Sequence, residues 1–109
     1  MNWTELKTDD QLVQLVKDST TRPQVIFKHS TRCSISSTVL SRLERSAAPS
    51  GMDFYFLDLI RYRTLSNRIA ERFSVHHESP QVLLIKNGEC MYDESHMAIS
   101  MDELEQEFS

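Results

Sequence analysis

Cys33 and Cys90 are the residues of this sequence with the strongest claim to chemistry. Cys33 follows the apolar run Gln24-Val25-Ile26-Phe27-Lys28 and precedes Val39, Leu40 and Leu43, which fall at helical spacing. It therefore sits where a strand gives way to a helix. Free backbone N–H groups and the positive end of the helix dipole gather at such a start. Both favour a thiolate, and Arg32 adds a formal positive charge next door. Cysteines so placed have pKa values lowered to roughly 3.5–7.5. A thiolate is what nucleophilic attack on a disulfide requires. The competing role for Cys33 is that of a buried, inert small hydrophobe. Its polar neighbours Arg32, Ser34 and Ser36 argue against that role.

The segment Cys33-Ser34-Ile35-Ser36 carries one sulfur where a Cys-x-x-Cys motif would carry two. A dithiol enzyme releases its own mixed disulfide with the second sulfur. This segment cannot, so the expected chemistry is monothiol, with release by an outside thiol. Two roles stand open for Ser36: a hydrogen bond donated to the Cys33 thiolate, or simple service at a helix start. Cys90 is the one internal candidate for a resolving thiol. It follows the Asn87-Gly88 turn and so belongs to the opposite end of a sheet from Cys33. At about 3.3 Å per strand residue the two sulfurs should lie roughly 15 Å apart. A disulfide needs Cα atoms within about 7 Å, so a structural role is expected for Cys90.

His29, His76, His77 and His96 complete the set of reactive side chains. None pairs with a cysteine or another histidine at the close spacing of a structural zinc site, so no metal is expected. His29 and His77 are expected to lie near Cys33 and tune its charge.

The elements that position these residues can be read from periodicity. Thr8 with Gln11 resembles a capping box, and Leu12, Leu15 and Val16 continue it as an amphipathic helix. Arg22-Pro23 interrupts the chain before the strand at 24–28. The helix after Cys33 ends in the loop-like stretch Ser46-Ala47-Ala48-Pro49-Ser50-Gly51. Asp53-Phe54-Tyr55-Phe56-Leu57 is a second strand, and Leu65, Ile69, Ala70 and Phe73 mark a helix with Thr64 as its expected N-cap. Gln81-Val82-Leu83-Leu84-Ile85-Lys86 is continuously apolar, as a central strand requires. Asn87-Gly88 then turns the chain into Glu89-Cys90-Met91-Tyr92, because both residues accept φ > 0. Ser100 and Glu103 form a second capping box ahead of Met101, Leu104 and Phe108.

The resulting order is α-β-α-β-α-β-β-α, in a single domain over residues 1–109. Helices alternating with strands imply parallel neighbours and right-handed crossovers. The final hairpin adds one antiparallel strand. An α/β fold with a four-stranded mixed sheet and helices on both faces is the thioredoxin-like architecture. In that fold a proline placed like Pro80 is usually cis, and the strand edge beside it faces the reactive cysteine. The Ser79 backbone would then be free to pair with an extended substrate. The spacing alone is equally consistent with an ordinary proline at a strand's first residue.

Composition sets the outer bounds. The 109 residues carry a formal net charge of −4, which argues against a nucleic-acid binder. Arg61, Arg63, Arg68 and Arg72 alternate with acids and apolar residues and read as a solvated helix face. No apolar run reaches 18 residues, so no membrane span is expected. The opening residues carry neither a basic nor an apolar leader region. With only two cysteines, a reducing cytoplasmic setting follows. Nothing points to an obligate partner, so a monomer is expected.

Three segments resemble one family. Phe27-Lys28-His29-Ser30-Thr31-Arg32-Cys33-Ser34-Ile35-Ser36 is similar to the active-site segment of the monothiol bacilliredoxins of the YtxJ type. His77-Glu78-Ser79-Pro80-Gln81 resembles their cis-proline segment, and Ser95-His96-Met97-Ala98-Ile99-Ser100 their signature after the hairpin. The resemblance implies a cis Pro80 and catalysis by Cys33. From their places around Cys33, Arg32, Ser36 and His29 are expected to tune the thiol, and Thr31, Ser34, Ser79 and Pro80 to contact the substrate. The resemblance further implies removal of bacillithiol from client-protein mixed disulfides, with bacillithiol as co-substrate and no tightly bound cofactor. The family usually has proline directly after the active cysteine, where this chain has Ser34; serine restores an N–H that proline lacks. The competing functions are a non-enzymatic adapter or redox sensor of the same fold. Last comes an iron–sulfur carrier, for which the glycine pair of monothiol glutaredoxins is missing after the proline strand.

Overall fold

A computed structural model describes residues 1–108. Five strands form one sheet: β1 (Thr4–Glu5), β2 (Gln24–His29), β3 (Asp53–Asp58), β4 (Gln81–Lys86) and β5 (Glu89–Ser95). Their order is β1-β3-β2-β4-β5, with β1, β3 and β2 parallel and β4 and β5 antiparallel to their neighbours. The fold class is as expected, but the strand count is five rather than four. The addition is β1, two residues paired with Tyr55 and Phe56 at the sheet edge. So short a strand leaves no alternation to read. It is anchored from inside, where Trp3 stacks on Phe27 and meets Phe54 and Phe56 edge-on.

The central strands β2 and β4 are buried on both faces, which is why they read as unbroken apolar runs. Helices α1 (Asp9–Asp18) and α3 (Arg63–Phe73) cover one face. There Leu12, Leu15, Leu65 and Ile69 pack on Ile26, Leu83 and Ile85. Helices α2 (Ser34–Arg45) and α4 (Met101–Phe108) cover the other, packing Val39, Leu43 and Leu104 on Val25, Phe27 and Leu84.

Local chemistry fixes the ends of these elements. Thr8 and Gln11 form the reciprocal capping box at α1. Asn87 and Gly88 adopt φ of 52° and 77°, as a tight two-residue hairpin turn demands. Ser100 Oγ accepts the Glu103 N–H at 3.1 Å. The expected cap at Thr64 does not form. Helix α3 begins two residues earlier, at Arg63, with Tyr62 at the N-cap position and no side-chain cap. The Asp58 carboxylate, which accepts from the N–H groups of Ile60 and Arg61, has already organised that turn.

Candidate active site

Strand β2 ends at His29, and the chain reaches Cys33 through a short loop. Cys33 occupies the N-cap position of α2 in extended backbone conformation (φ −109°). Its N–H donates to Ser30 O and its carbonyl accepts from Ser37 N, which ties the loop to the helix. The thiol is half-buried and free, and the helix start beneath it presents backbone N–H groups and positive dipole. Thr31, Arg32, Ser34 and Ile35 are exposed around it. The peptide bond Ser79–Pro80 is cis. Pro80 leads into β4, the immediate neighbour of β2, so it stands beside the β2–α2 loop. Pro80 O in turn accepts from His96 N at 3.0 Å, which ties the proline to the 3-10 turn His96–Ala98.

Ser36 corrects one of its two expected roles. It is fully buried, although its neighbours Ser34, Ile35 and Ser37 are exposed. Its hydroxyl shares a 2.7 Å hydrogen bond with His29 Nδ1 and accepts from Ser30 N at 3.1 Å. Among the described residues no hydrogen bond joins it to Cys33. The side chain turns inward because His29, stacked on Phe27, waits on the helix side of the sheet. Ser36 thus staples the end of β2 to the first turn of α2. Burial lowers the His29 pKa against the opposing pull of Asp58 and Glu44. The lowered pKa favours the neutral ring, whose Nδ1 shares its hydrogen bond with the Ser36 hydroxyl.

Cys90 lies where expected, at the hairpin end of the sheet, paired with Ile85. Its Sγ donates to Tyr92 O at 3.3 Å, and burial pushes the thiol up to about 11. His77 does lie in the cis-proline segment, but its partners are Lys28 Nζ and Ser66 Oγ, each 3.4 Å from its Nδ1. Burial first, then the charges of Lys28 and Arg63, lower its pKa. Among the described residues no cluster of three His, Cys, Asp or Glu could hold a metal.

Two residues at this end escaped the sequence reading. Lys28 is completely buried on the α3 face of β2, donating to Ser66 O at 3.1 Å. A lysine closing an apolar run reads as a strand end, and only the neighbouring β4 and α3 show that it is enclosed. Arg42 of α2 donates to the carbonyls of Met97 and Ile99, holding the turn after β5 against the helix. Its signal was the run Met97-Ala98-Ile99, whose backbone needed donors.

A mixed sheet clothed by two helices on each face, with a cysteine opening the helix after its central strand and a cis proline alongside, defines a thioredoxin-fold thiol oxidoreductase. Within that class the chain belongs to the monothiol bacilliredoxin family, whose BrxC model it matches over residues 4–104. Among solved structures it is similar to one described as a candidate oxidoreductase with a thioredoxin fold. The two share 31% identity at a TM-score of 0.80, over 96% of this chain and 92% of that one. The thioredoxins of Malassezia sympodialis and Trypanosoma brucei brucei share the fold at TM-scores of 0.75 and 0.77. Their identities are 16% and 12%, over 96% and 97% of this chain and 86% and 87% of theirs. Among the described residues no helix is long and apolar enough to cross a membrane.

Proposed function

We propose that this chain removes bacillithiol from client-protein mixed disulfides through Cys33. The observation that carries the proposal is the solitary thiol. Cys33 is half-buried at a helix start, Ser36 is tied to His29 in place of a second sulfur, and Cys90 sits at the far end of the sheet. In the first step the Cys33 thiolate attacks the bacillithiol sulfur. The client–bacillithiol S–S bond breaks, a Cys33–bacillithiol disulfide forms, and the client thiolate leaves and takes a proton. In the second step a bacillithiol thiolate attacks the bacillithiol sulfur held on Cys33, producing bacillithiol disulfide and restoring the Cys33 thiolate. The client is reduced, and two bacillithiol molecules are joined as the oxidised product. The exposed Thr31, Arg32 and Ser34 around the thiol would meet the substrate, together with Ser79 and Pro80 of the cis-proline segment. The setting is the cytoplasm, the protein acts as a monomer, and no tightly bound cofactor is needed.

The test is intact-mass spectrometry of the protein mixed with a bacillithiolated client. The adduct should appear on Cys33, and added bacillithiol should discharge it with release of bacillithiol disulfide. Transfer that persists in Cys33→Ala, or a Cys33 adduct that bacillithiol cannot discharge, would sink the proposal.

A further inference from the structure

The chain is acidic overall, but its cations are gathered. Lys7, Arg61, Arg63 and Arg68, four of the 12 lysines and arginines, line one open surface cleft of about 490 Å³. The lining holds a single carboxylate, Asp9, and that is already paired with Arg68. Lys7, Arg61 and Arg63 have no carboxylate within 4 Å among the described residues. Arg61 lies over the ring of Tyr62, 5.5 Å from its centroid, which holds it on the cleft. The nearby Asp58 carboxylate is turned back onto its own loop. The expected solvated arginines are indeed exposed, and the fold gathers Arg61, Arg63 and Arg68 around this cleft.

The cleft shares the reactive end of the sheet. Lys7 follows β1, Arg61 and Arg63 follow β3, and Cys33 follows β2, all three strands being parallel and adjacent. The β3–α3 loop touches the reactive loop directly, Leu59 N donating to His29 O at 3.0 Å. With strands about 4.8 Å apart, the cleft lies on the order of 10 Å from the Cys33 loop. Arg63 extends the positive field toward the cis-proline segment, since its charge acts on His77. A protein partner covering about 800 Å² and centred on Cys33 would reach roughly 16 Å in every direction. It would cover this cleft, whereas a small thiol seated on Cys33 would not.

We infer that the cleft docks an acidic segment of the client protein, displaced from the cysteine under attack. The inference rests on the proposed function only in taking the client to be a protein whose disulfide Cys33 attacks. Opposite charge at such an exposed site speeds encounter and selects partners, and salt weakens it. At about 3.3 Å per extended residue, the complementary acids belong three to six residues from the client cysteine.

The experiment uses two cysteine peptides joined through a disulfide to thionitrobenzoate, one with four Glu at those positions and one with four Gln. Release of the chromophore reports attack by Cys33 with no bacillithiol present, so failure of the bacillithiol reading and failure of docking are separable. Wild type should prefer the Glu peptide by about tenfold in second-order rate at low salt, and 0.5 M salt should erase most of the preference. Arg61→Glu/Arg63→Glu should abolish it while leaving the Gln peptide's rate within about twofold. Arg61→Lys/Arg63→Lys should keep most of it. The same ranking should appear in the affinity of Cys33→Ala for the unmodified peptides, where no bond forms. Equal rates for the two peptides on wild type, or equal losses on both in the charge-reversed variant, would overturn the inference.

Discussion

At Cys90 the sulfur is aimed at the Tyr92 carbonyl and packed against the cluster formed by α1 and α3, and its pKa rises to about 11. At pH 8 that leaves on the order of one thiolate in a thousand. Cys33 has no such enclosure: it is half-buried, flanked by exposed residues, and set over a helix start. Burial and a raised pKa hold Cys90 back, whereas Cys33 has the access that thiol chemistry needs. Iodoacetamide at pH 8 should alkylate one cysteine rapidly in the native protein, and peptide mapping should place it at Cys33. Cys90→Ala should keep the fast phase and Cys33→Ser should lose it. Comparable rates at both positions in native protein would contradict this assignment.

The loop between β2 and α2 depends on a hydroxyl. Ser36 joins His29 and the Ser30 amide inside the protein, so the loop bearing Cys33 is fixed from beneath. Ser36→Ala would leave the buried Ser30 N–H and His29 Nδ1 without their partner, a loss of about 1–3 kcal/mol. Urea denaturation should show that loss at pH 7, and an unchanged midpoint would mean that the staple contributes nothing. This element also marks how far the sequence could be read. The position of Cys33 at a helix start was legible, because helix periodicity and the end of an apolar strand are local signals. So were the Thr8–Gln11 box and the Asn87-Gly88 hairpin, whose chemistry lies within a few residues. The bond of Ser36 to His29 was not, because it depends on which face of β2 carries the imidazole. Strand β1 was missed for a related reason: two residues acquire their pairing only from β3, some fifty positions away.

Across the whole molecule the charge is arranged unevenly, with a basic cleft at one edge of the reactive end and a buried cation near its middle. Lys28 is wholly enclosed, with Ser66 O and His77 Nδ1 as its partners and no carboxylate within 4 Å among the described residues. Burial lowers its pKa from 10.5 to about 8. Between those values the unfolded chain holds a proton that the folded protein has released. Stability from this residue therefore rises with pH across that window, and below it the folded state carries the full cost of the buried charge. A displacement of that size corresponds to about 3 kcal/mol. Lys28→Met removes the titration but keeps much of the volume. Tyr55, Tyr92 and Cys90 have raised pKa values and oppose the trend at high pH, but they are common to both proteins and cancel in the difference. Measured by urea denaturation from pH 7 to 10.5, wild type should gain stability relative to Lys28→Met by about 3 kcal/mol. Most of that gain should fall above pH 8. A difference independent of pH would show that the ammonium is held at no cost, and that Ser66 and His77 compensate its burial in full.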